Sequence, residues 1–472
     1  MSRPHLIFLM ADQLRFDVLG PYGDTQCPTP KLDLLAERAC VFERHFTNCP
    51  LCVPMRSSLM TGLHTHQHGA IINGWLPGER QFGLIRPDLP LLPQRLADAG
   101  YDVHHIGVQH VRSQPSLERR CPGVTFTGPA SAGEHHRELT GRGLLLGDLS
   151  TFRDPVLEHD NGKPTIFAGT SPRAAVFPLR EDLFYDCTLT QKMVQAIEEH
   201  EKADKPLALL GMFWLPHPPL WGPRAWATLV PPDSVKLPPT VGHWYAGMPV
   251  MQLANVPGQL GAHVSMEQWR ASWAVYLGMV ALLDRCVGRV LAALDKAGLF
   301  DDALIVFTSD HGEMLGSHRL YQKMCLYDEA VRAPMLMKLP GQSRSRRVTE
   351  LSDHLDLPAT LLAAAEAPAL ENAPGRSLLP LAEGRHGEQP RQHVFAAYDG
   401  NAGRGYAHRM VRSTLYKFIH NIGDQPELYD LLEDPFETRN LAGTAELAAQ
   451  EQSLREALNG WMDSVGDPAP RA

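Results

Sequence analysis

Leu6-Ile7-Phe8-Leu9-Met10, running directly into Ala11-Asp12-Gln13, is the stretch whose reading decides the fold. Five consecutive apolar residues with no polar alternation suit a strand buried on both faces, as in a parallel sheet covered by helices on each side. The same logic extends outward. Residues 30–38 open on a proline and continue with helical spacing (Leu32, Leu34, Leu35), and residues 91–99 form a second helix ended by Gly100. Residues 101–107 read as the next strand, 184–201 as a helix, and 207–214 as an apolar strand that stops at Pro216. Residues 273–294 place Tyr276, Met279, Leu283, Val287, Val290 and Leu294 on one helical face; Gly298 caps it, and 303–308 comes next as a buried strand. Strands alternating with helices predict an α/β fold around a mostly parallel, doubly wound sheet flanked by helices.

At 472 residues the chain is long enough for one large domain and a smaller one. Composition turns polar near 383–392, and beyond it lie short strand-like runs and a closing helix at about 444–465. The expected division is a catalytic α/β domain over 1–387 and an antiparallel α+β domain over 388–472. Stretches 113–180 and 222–262 have little periodicity and read as long surface loops, with the first a candidate lid. Net charge is −9, from 44 basic and 53 acidic residues, which excludes a general nucleic-acid binder but not a small anionic substrate met by a local cationic pocket. No run approaches the length of a membrane span, and the apolar run at the N-terminus is too short for a signal segment. The expectation is a cytoplasmic protein without membrane or nucleic-acid partners, whose eight cysteines stay reduced. The sequence assigns no oligomeric state.

Two pairs of metal-capable side chains, Asp12-Gln13 and Asp310-His311, each come directly after a strand. Ligands in open α/β sheets bind beyond the carboxyl ends of strands, so these pairs can meet. Three of the four offer oxygen, which suits a hard divalent cation: Ca²⁺ first, Mn²⁺ or Mg²⁺ as alternatives. Cys52-Val53-Pro54-Met55-Arg56 adds a nucleophile at a helix N-terminus, where the dipole favours an anion or a thiolate, with Arg56 one turn away. A buried structural thiol beside a surface arginine is the plain alternative. His110, His217 and Lys323 each lie just past a strand, where single polar residues are more often ordinary loop residues; their shared location favours a site.

The segment Cys52-x-Pro54-x-Arg56 with Thr61-Gly62 resembles the signature of the type I, formylglycine-dependent sulfatases of the alkaline phosphatase-like superfamily. Thr29-Pro30-Lys31-Leu32-Asp33 resembles that family's preceding helix entry. Residues 307–316 resemble its second metal motif, and 327–334 the segment after that motif. Residues 353–361, 375–380, 427–431 and 434–441 resemble later landmarks, collinear over nearly the whole chain. The resemblance implies an alkaline phosphatase-like fold with a small C-terminal domain. It implies a sulfuric ester hydrolase whose Cys52 is converted to Cα-formylglycine by a maturation enzyme. Hydrated, that residue is a gem-diol: one hydroxyl attacks sulfur, and loss of the other's proton expels sulfate and restores the aldehyde. It implies metal ligation by Asp12, Gln13, Asp310 and His311. It implies that Arg56 holds the formylglycine and the developing anion, and that Lys323 neutralises sulfate oxygens. His217 would bind sulfate or protonate the leaving oxygen, and His110 would assist elimination. The substrate class is a sulfate monoester of an aryl, sugar or small alcohol.

Three departures keep alternatives open. Gln13 stands where the family often has aspartate, as in choline-sulfatase-like and phosphonate-monoester-hydrolase-like branches; Met55 replaces a small residue; and Val108 replaces the lysine of a Gly-Lys-x-His pattern, with His110 kept. His104, His105 or Arg112 are candidates to supply the lost charge. A phosphonate monoester hydrolase or phosphodiesterase on the same fold is the first alternative, and a non-catalytic binder of sulfated glycans the second. The alcohol portion would meet loop residues such as Trp221, Trp226, Trp244, His135, His136 and Arg142.

Overall fold

A computed structural model describes residues 3–23, 26–200, 204–385 and 390–472. Its central sheet has eight strands: β1 (His5–Asp12), β2 (Cys40–Phe42), β3 (Asp102–Gly107), β4 (Val124–Thr127), β5 (Leu207–Pro216), β6 (Ala303–Ser309), β7 (Met335–Lys338) and β8 (Arg346–Val348). The spatial order is β8-β2-β7-β6-β1-β5-β3-β4. All neighbouring pairs are parallel except those made by β7, which runs antiparallel to β6 and β2. Unbroken apolar sequence makes β1, β5 and β6 the buried centre: Leu6 through Ala11 and Ala303 through Phe307 are essentially inaccessible.

Helices cover the sheet. Here α1 denotes Cys52–Thr61, α2 Tyr185–His200 and α3 Met266–Lys296. The long α3 packs on α2 and on β5. It begins before the apolar stripe does, because Ser265 and Gln268 form a reciprocal cap: Ser265 Oγ accepts from the Gln268 amide at 3.2 Å, and Gln268 Oε1 accepts from the Ser265 amide at 2.8 Å.

A second sheet of β9 (Val394–Gly400), β10 (Arg404–Arg412), β11 (Tyr416–Asn421) and β12 (Glu427–Asp430) is antiparallel throughout. Strand alternation gives it two buried faces. Val411, Phe418 and Leu428 meet Leu454, Leu458 and Met462 of the closing helix α4 (Ala448–Ser464). Met410, Ile419 and Tyr429 instead pack on Leu326 and Tyr327 of the large sheet's loops. The expected boundary between 387 and 388 lies outside the described residues, as does the end of the helix expected to reach 201.

The stretch 113–180 is not the unstructured loop expected. It holds a helix, Ala132–Gly141, and a hairpin of Arg153–Asp160 against Lys163–Thr170. The hairpin buries only Val156, Glu158, Gly169 and Thr170 among its strand residues, so its sequence lacks the apolar alternation that marks a half-buried strand. Stretch 222–262 likewise contains the short helices Val250–Ala254 and Val256–Gly261. No helix among the described residues is long and apolar enough to cross a membrane.

Candidate active site

The site forms where β1 and β6 end side by side. Parallel pairing runs to Ala11 opposite Ser309, so Asp12 and Asp310 emerge together. On its other side β1 breaks register with β5 between Met10 and Asp12, and Gln13 takes a left-handed φ of 65°. That bend lets the Gln13 amide donate to Asp310 Oδ1 at 3.0 Å. Next to it, Gly107 ends β3 at φ 105°; a Cβ there would lie 2.1 Å from the Met212 carbonyl oxygen, so only glycine allows the chain to turn toward His110.

Helix α1 delivers Cys52 as its first residue and is buried along its whole length. A buried helix N-terminus needs partners for its free amides. Pro54 has none to satisfy, and the Val53 amide donates to Asn73 Oδ1 at 3.2 Å. Gly62 closes the helix in a left-handed conformation, its amide reaching the Ser58 carbonyl at 2.8 Å.

Four side chains converge. One ligand-capable atom from each of Asp12, Cys52, Asp310 and His311 lies within 4.8 Å of the others. Cys52 Sγ is 3.2 Å from His311 Nε2 and 3.4 Å from Asp12 Oδ1. His311 Nδ1 donates to the Gly312 carbonyl at 3.0 Å, so the Nε2 lone pair faces the cluster, the tautomer a metal or a proton requires. Arg56 spans both carboxylates, with Nη2 at 2.9 Å from Asp12 Oδ2 and from Asp310 Oδ2. Its Nη1 donates to the carbonyl of Val108 at 3.2 Å. Gln13 lies beside the cluster with its amide oxygen accepting from Lys323 and its amide nitrogen donating to buried Glu313.

Burial sets the electrostatics. Burial, reinforced by Asp310, raises the Asp12 carboxyl to about 7. Burial also pushes Asp310 up, but His311, Arg56 and the Gln13 amide outweigh it and hold it low. His110 and His311 are lowered by burial to about 3 and are neutral. The Cys52 thiol is pushed well up by burial and by Asp12. Loss of solvation and the nearby carboxylates thus oppose the helix dipole and favour the thiol at Cys52.

His110, His217 and Lys323 all reach the same cavity, of about 390 Å³, which has Cys52 at its floor. Lys323 Nζ donates to His217 Nε2 at 3.1 Å, and His217 Nδ1 donates to the Pro218 carbonyl. An ammonium has no acceptor capacity, so His217 is neutral and Lys323 holds the proton. Trp214 lies under the His217 ring at 3.9 Å and edge-on to His110 at 5.6 Å. His110 Nδ1 sits 3.9 Å from Asp12 Oδ2 and has no hydrogen-bond partner among the described residues.

A sulfatase family model matches residues 4–367, and a model of the N-sulphoglucosamine sulphohydrolase C-terminal region matches residues 316–463. The chain belongs to the sulfatase family. Among its relatives, the multifunctional alkaline phosphatase superfamily protein PehA of Trinickia caryophylli is 27% identical, over 99% of this chain and 96% of that protein. The N-acetylglucosamine-6-O-sulfatase of Bacteroides thetaiotaomicron is 24% identical, covering 99% and 88%. The phosphonate monoester hydrolase of Agrobacterium radiobacter superposes with a TM-score of 0.81 at 23% identity, covering 98% of this chain and 96% of that one. This likeness establishes the alkaline phosphatase-like architecture.

Within this sulfatase-family chain the residues expected to meet the alcohol are corrected. Of the six, only His136 lines the cavity. Trp221 is buried on a strand against Phe152 and Phe177, and His135 Nε2 is bonded to the Leu183 carbonyl at 2.9 Å. Trp226 donates to Glu181 at 2.8 Å. The wall is built instead by Trp75, Trp214, Phe152, Phe167 and Arg153, with Asn401 arriving from the C-terminal sheet. Asn401 is invisible as a site residue in the sequence because the contact that brings it there is non-local: Asn73 Nδ2 donates to Asn401 Oδ1 at 2.8 Å, and Asn401 Nδ2 donates to Glu158 at 3.0 Å. None of the candidates for the lost lysine lines this cavity. His104 pairs with Asp102 at 3.2 Å, His105 is buried against Phe126, and Arg112 stacks on Trp75 at 4.1 Å. The eight cysteines are buried and free.

Proposed function

We propose that this protein is a formylglycine-dependent sulfatase that hydrolyses a sulfate monoester. The observation that carries the reading is the convergence of Asp12, Asp310 and His311 on Cys52, which itself lines a cavity shared with His110, His217 and Lys323. A raised thiol is a poor nucleophile, and sulfur is a soft donor among hard ones. Converting Cys52 to formylglycine removes both mismatches, replacing sulfur by the oxygens of a hydrated aldehyde.

The donor set fits a hard divalent cation, Ca²⁺ in preference to Mn²⁺ or Mg²⁺. Asp12, Asp310 and His311 would hold it, with Gln13 Oε1 joining once released from Lys323. When bound, such an ion supplies positive charge against sulfate oxygens and favours the ionised form of an oxygen at position 52. This chain's own groups do the rest. Arg56 fixes the two carboxylates and leaves residue 52 in one geometry. Lys323 faces the cavity with charge that a sulfate or its transition state can meet. The Lys323–His217 pair holds a proton at Nζ for the leaving oxygen, and neutral His110 is placed to take one at position 52.

The experiment is coexpression with a formylglycine-generating enzyme, mass spectrometry of the peptide containing residue 52, and turnover of an aryl sulfate. Conversion with turnover lost in Cys52→Ala is expected; turnover by protein carrying only unmodified Cys52 overturns the reading. Val108 and Gln13 favour one second reading, phosphonate monoester or phosphodiester hydrolysis, since those monoanions present two non-bridging oxygens where a sulfate presents three and so ask for fewer cationic contacts. The similarity to PehA and to a phosphonate monoester hydrolase supports it. A kcat/KM for an aryl phenylphosphonate above that for the matched aryl sulfate would select it.

A further inference from the structure

The cavity wall beyond the reacting end has an unusual composition. Four aromatic rings face it, and no aspartate or glutamate lines it among the described residues. The polar side chains that line it are tied to protein partners: Asn73 donates to Asn401, Asn401 donates to Glu158, Gln322 donates to the Thr170 carbonyl and Thr170 Oγ1 accepts from Arg153, so a sugar's hydroxyls would meet chiefly the rings of Trp75, Trp214, Phe152 and Phe167, which supply no acceptor. A flat ring meets such a wall well.

Arg153 is the second observation. Its Nη1 donates to Thr170 Oγ1 at 2.7 Å and to the Ala168 carbonyl at 3.3 Å. No carboxylate faces it: burial alone moves its pKa, downward, and no ion pair includes it among the described residues. The nearest acids along the hairpin are engaged elsewhere, Asp154 with Arg173 at 2.6 Å and Glu158 with Asn401 and the Ala402 amide. Arg153 is exposed at the rim of the cavity, and a guanidinium pinned on one edge with no carboxylate beside it can receive an anion there.

We propose that the alcohol portion of the substrate is a flat apolar ring carrying a second anionic group, and that Arg153 reads that group. The proposal rests on the cavity being the substrate site of the esterase described above. It does not require turnover to be tested.

The test is equilibrium binding of 3-hydroxybenzoate, phenol and N-acetylglucosamine to the full chain by calorimetry, for the wild type and for Arg153→Gln and Arg153→Lys. Expected is a preference of about tenfold or more for 3-hydroxybenzoate over phenol. The preference should collapse in R153Q with phenol affinity unchanged, and return in part in R153K. An unchanged preference in R153Q, or tighter binding of N-acetylglucosamine than of either phenol, overturns the proposal. If R153Q loses phenol affinity too, the wild-type preference is measured at rising NaCl. Screening must narrow it, and a preference indifferent to salt refutes a charge reading. Because no ester is cleaved in these measurements, failure of the hydrolysis reading and failure of this one are told apart.

Discussion

Replacing Arg56 by methionine isolates what holds the reacting centre together. The side chain is 1% exposed and bridges two carboxylates that are 0% exposed. Removing one partner of a buried ion pair leaves uncompensated charge, at about 3–5 kcal/mol. Here two carboxylates lose the same partner, and Lys323 is the nearest remaining cation facing them. Above about pH 7 the variant should therefore take up a proton on folding that the wild type no longer takes up. Asp12, already raised to about 7, rises further, so the stability gap between variant and wild type widens with pH. The slope of the gap approaches about 1.4 kcal/mol per pH unit only where the folded variant holds this proton and the folded wild type has lost it. The assay is guanidinium chloride unfolding of both proteins at pH 6 and pH 8, in chelator and then in Ca²⁺. A gap of about 3 kcal/mol or more at pH 8 in chelator is expected, smaller at pH 6 and smaller when Ca²⁺ supplies the missing charge. A gap under about 1 kcal/mol at pH 8, or one that ignores both pH and Ca²⁺, would mean the two carboxylates are not held as a charged buried pair, and the reasoning fails.

Glu158, 5% exposed, is raised by burial to about 7. The folded chain keeps this proton to about pH 7 while the unfolded chain loses it near pH 4.5, so stability falls as pH rises through that window. Glu158→Gln keeps an acceptor for Asn401 and should exceed the wild type by at most about 3 kcal/mol at pH 8 and match it at pH 5; the same difference at both pH values in chemical unfolding would refute this. Ca²⁺ at a hundredfold excess over its Kd should stabilise the wild type by about 2.7 kcal/mol, seen as a raised melting temperature reversed by chelator. Asp310→Asn should lose most of that response, and an undiminished shift would move the ion away from this cluster.

The sequence is informative where local rules are strong. Unbroken apolar runs mark β1, β5 and β6, and polar residues straight after them mark Asp12, Gln13, Asp310 and His311, because parallel strands release their carboxyl ends on one side of the sheet. Cys52 and Arg56 are legible because their spacing fits one helical turn. The hairpin 153–170 escapes a sequence reading because its strands are mostly exposed and lack alternation, and the aromatic wall rests on tryptophans other than the three that loop position suggests.

By itself, then, the chain determined the central strands β1, β3, β5 and β6 and the polar residues at the ends of β1 and β6, since each depends on neighbours within a few positions. Only the tertiary structure decided the protonation of the candidate site and which residues line its cavity. Burial near two carboxylates raises the Cys52 thiol against the helix dipole, which by itself favours an anion or a thiolate. The Lys323 contact fixes the neutral tautomer of His217, and Asn73, Asn401 and Glu158 join three distant segments at one wall. Those properties are set by which groups exclude water from one another, and residues far apart in sequence do that only once the chain has folded.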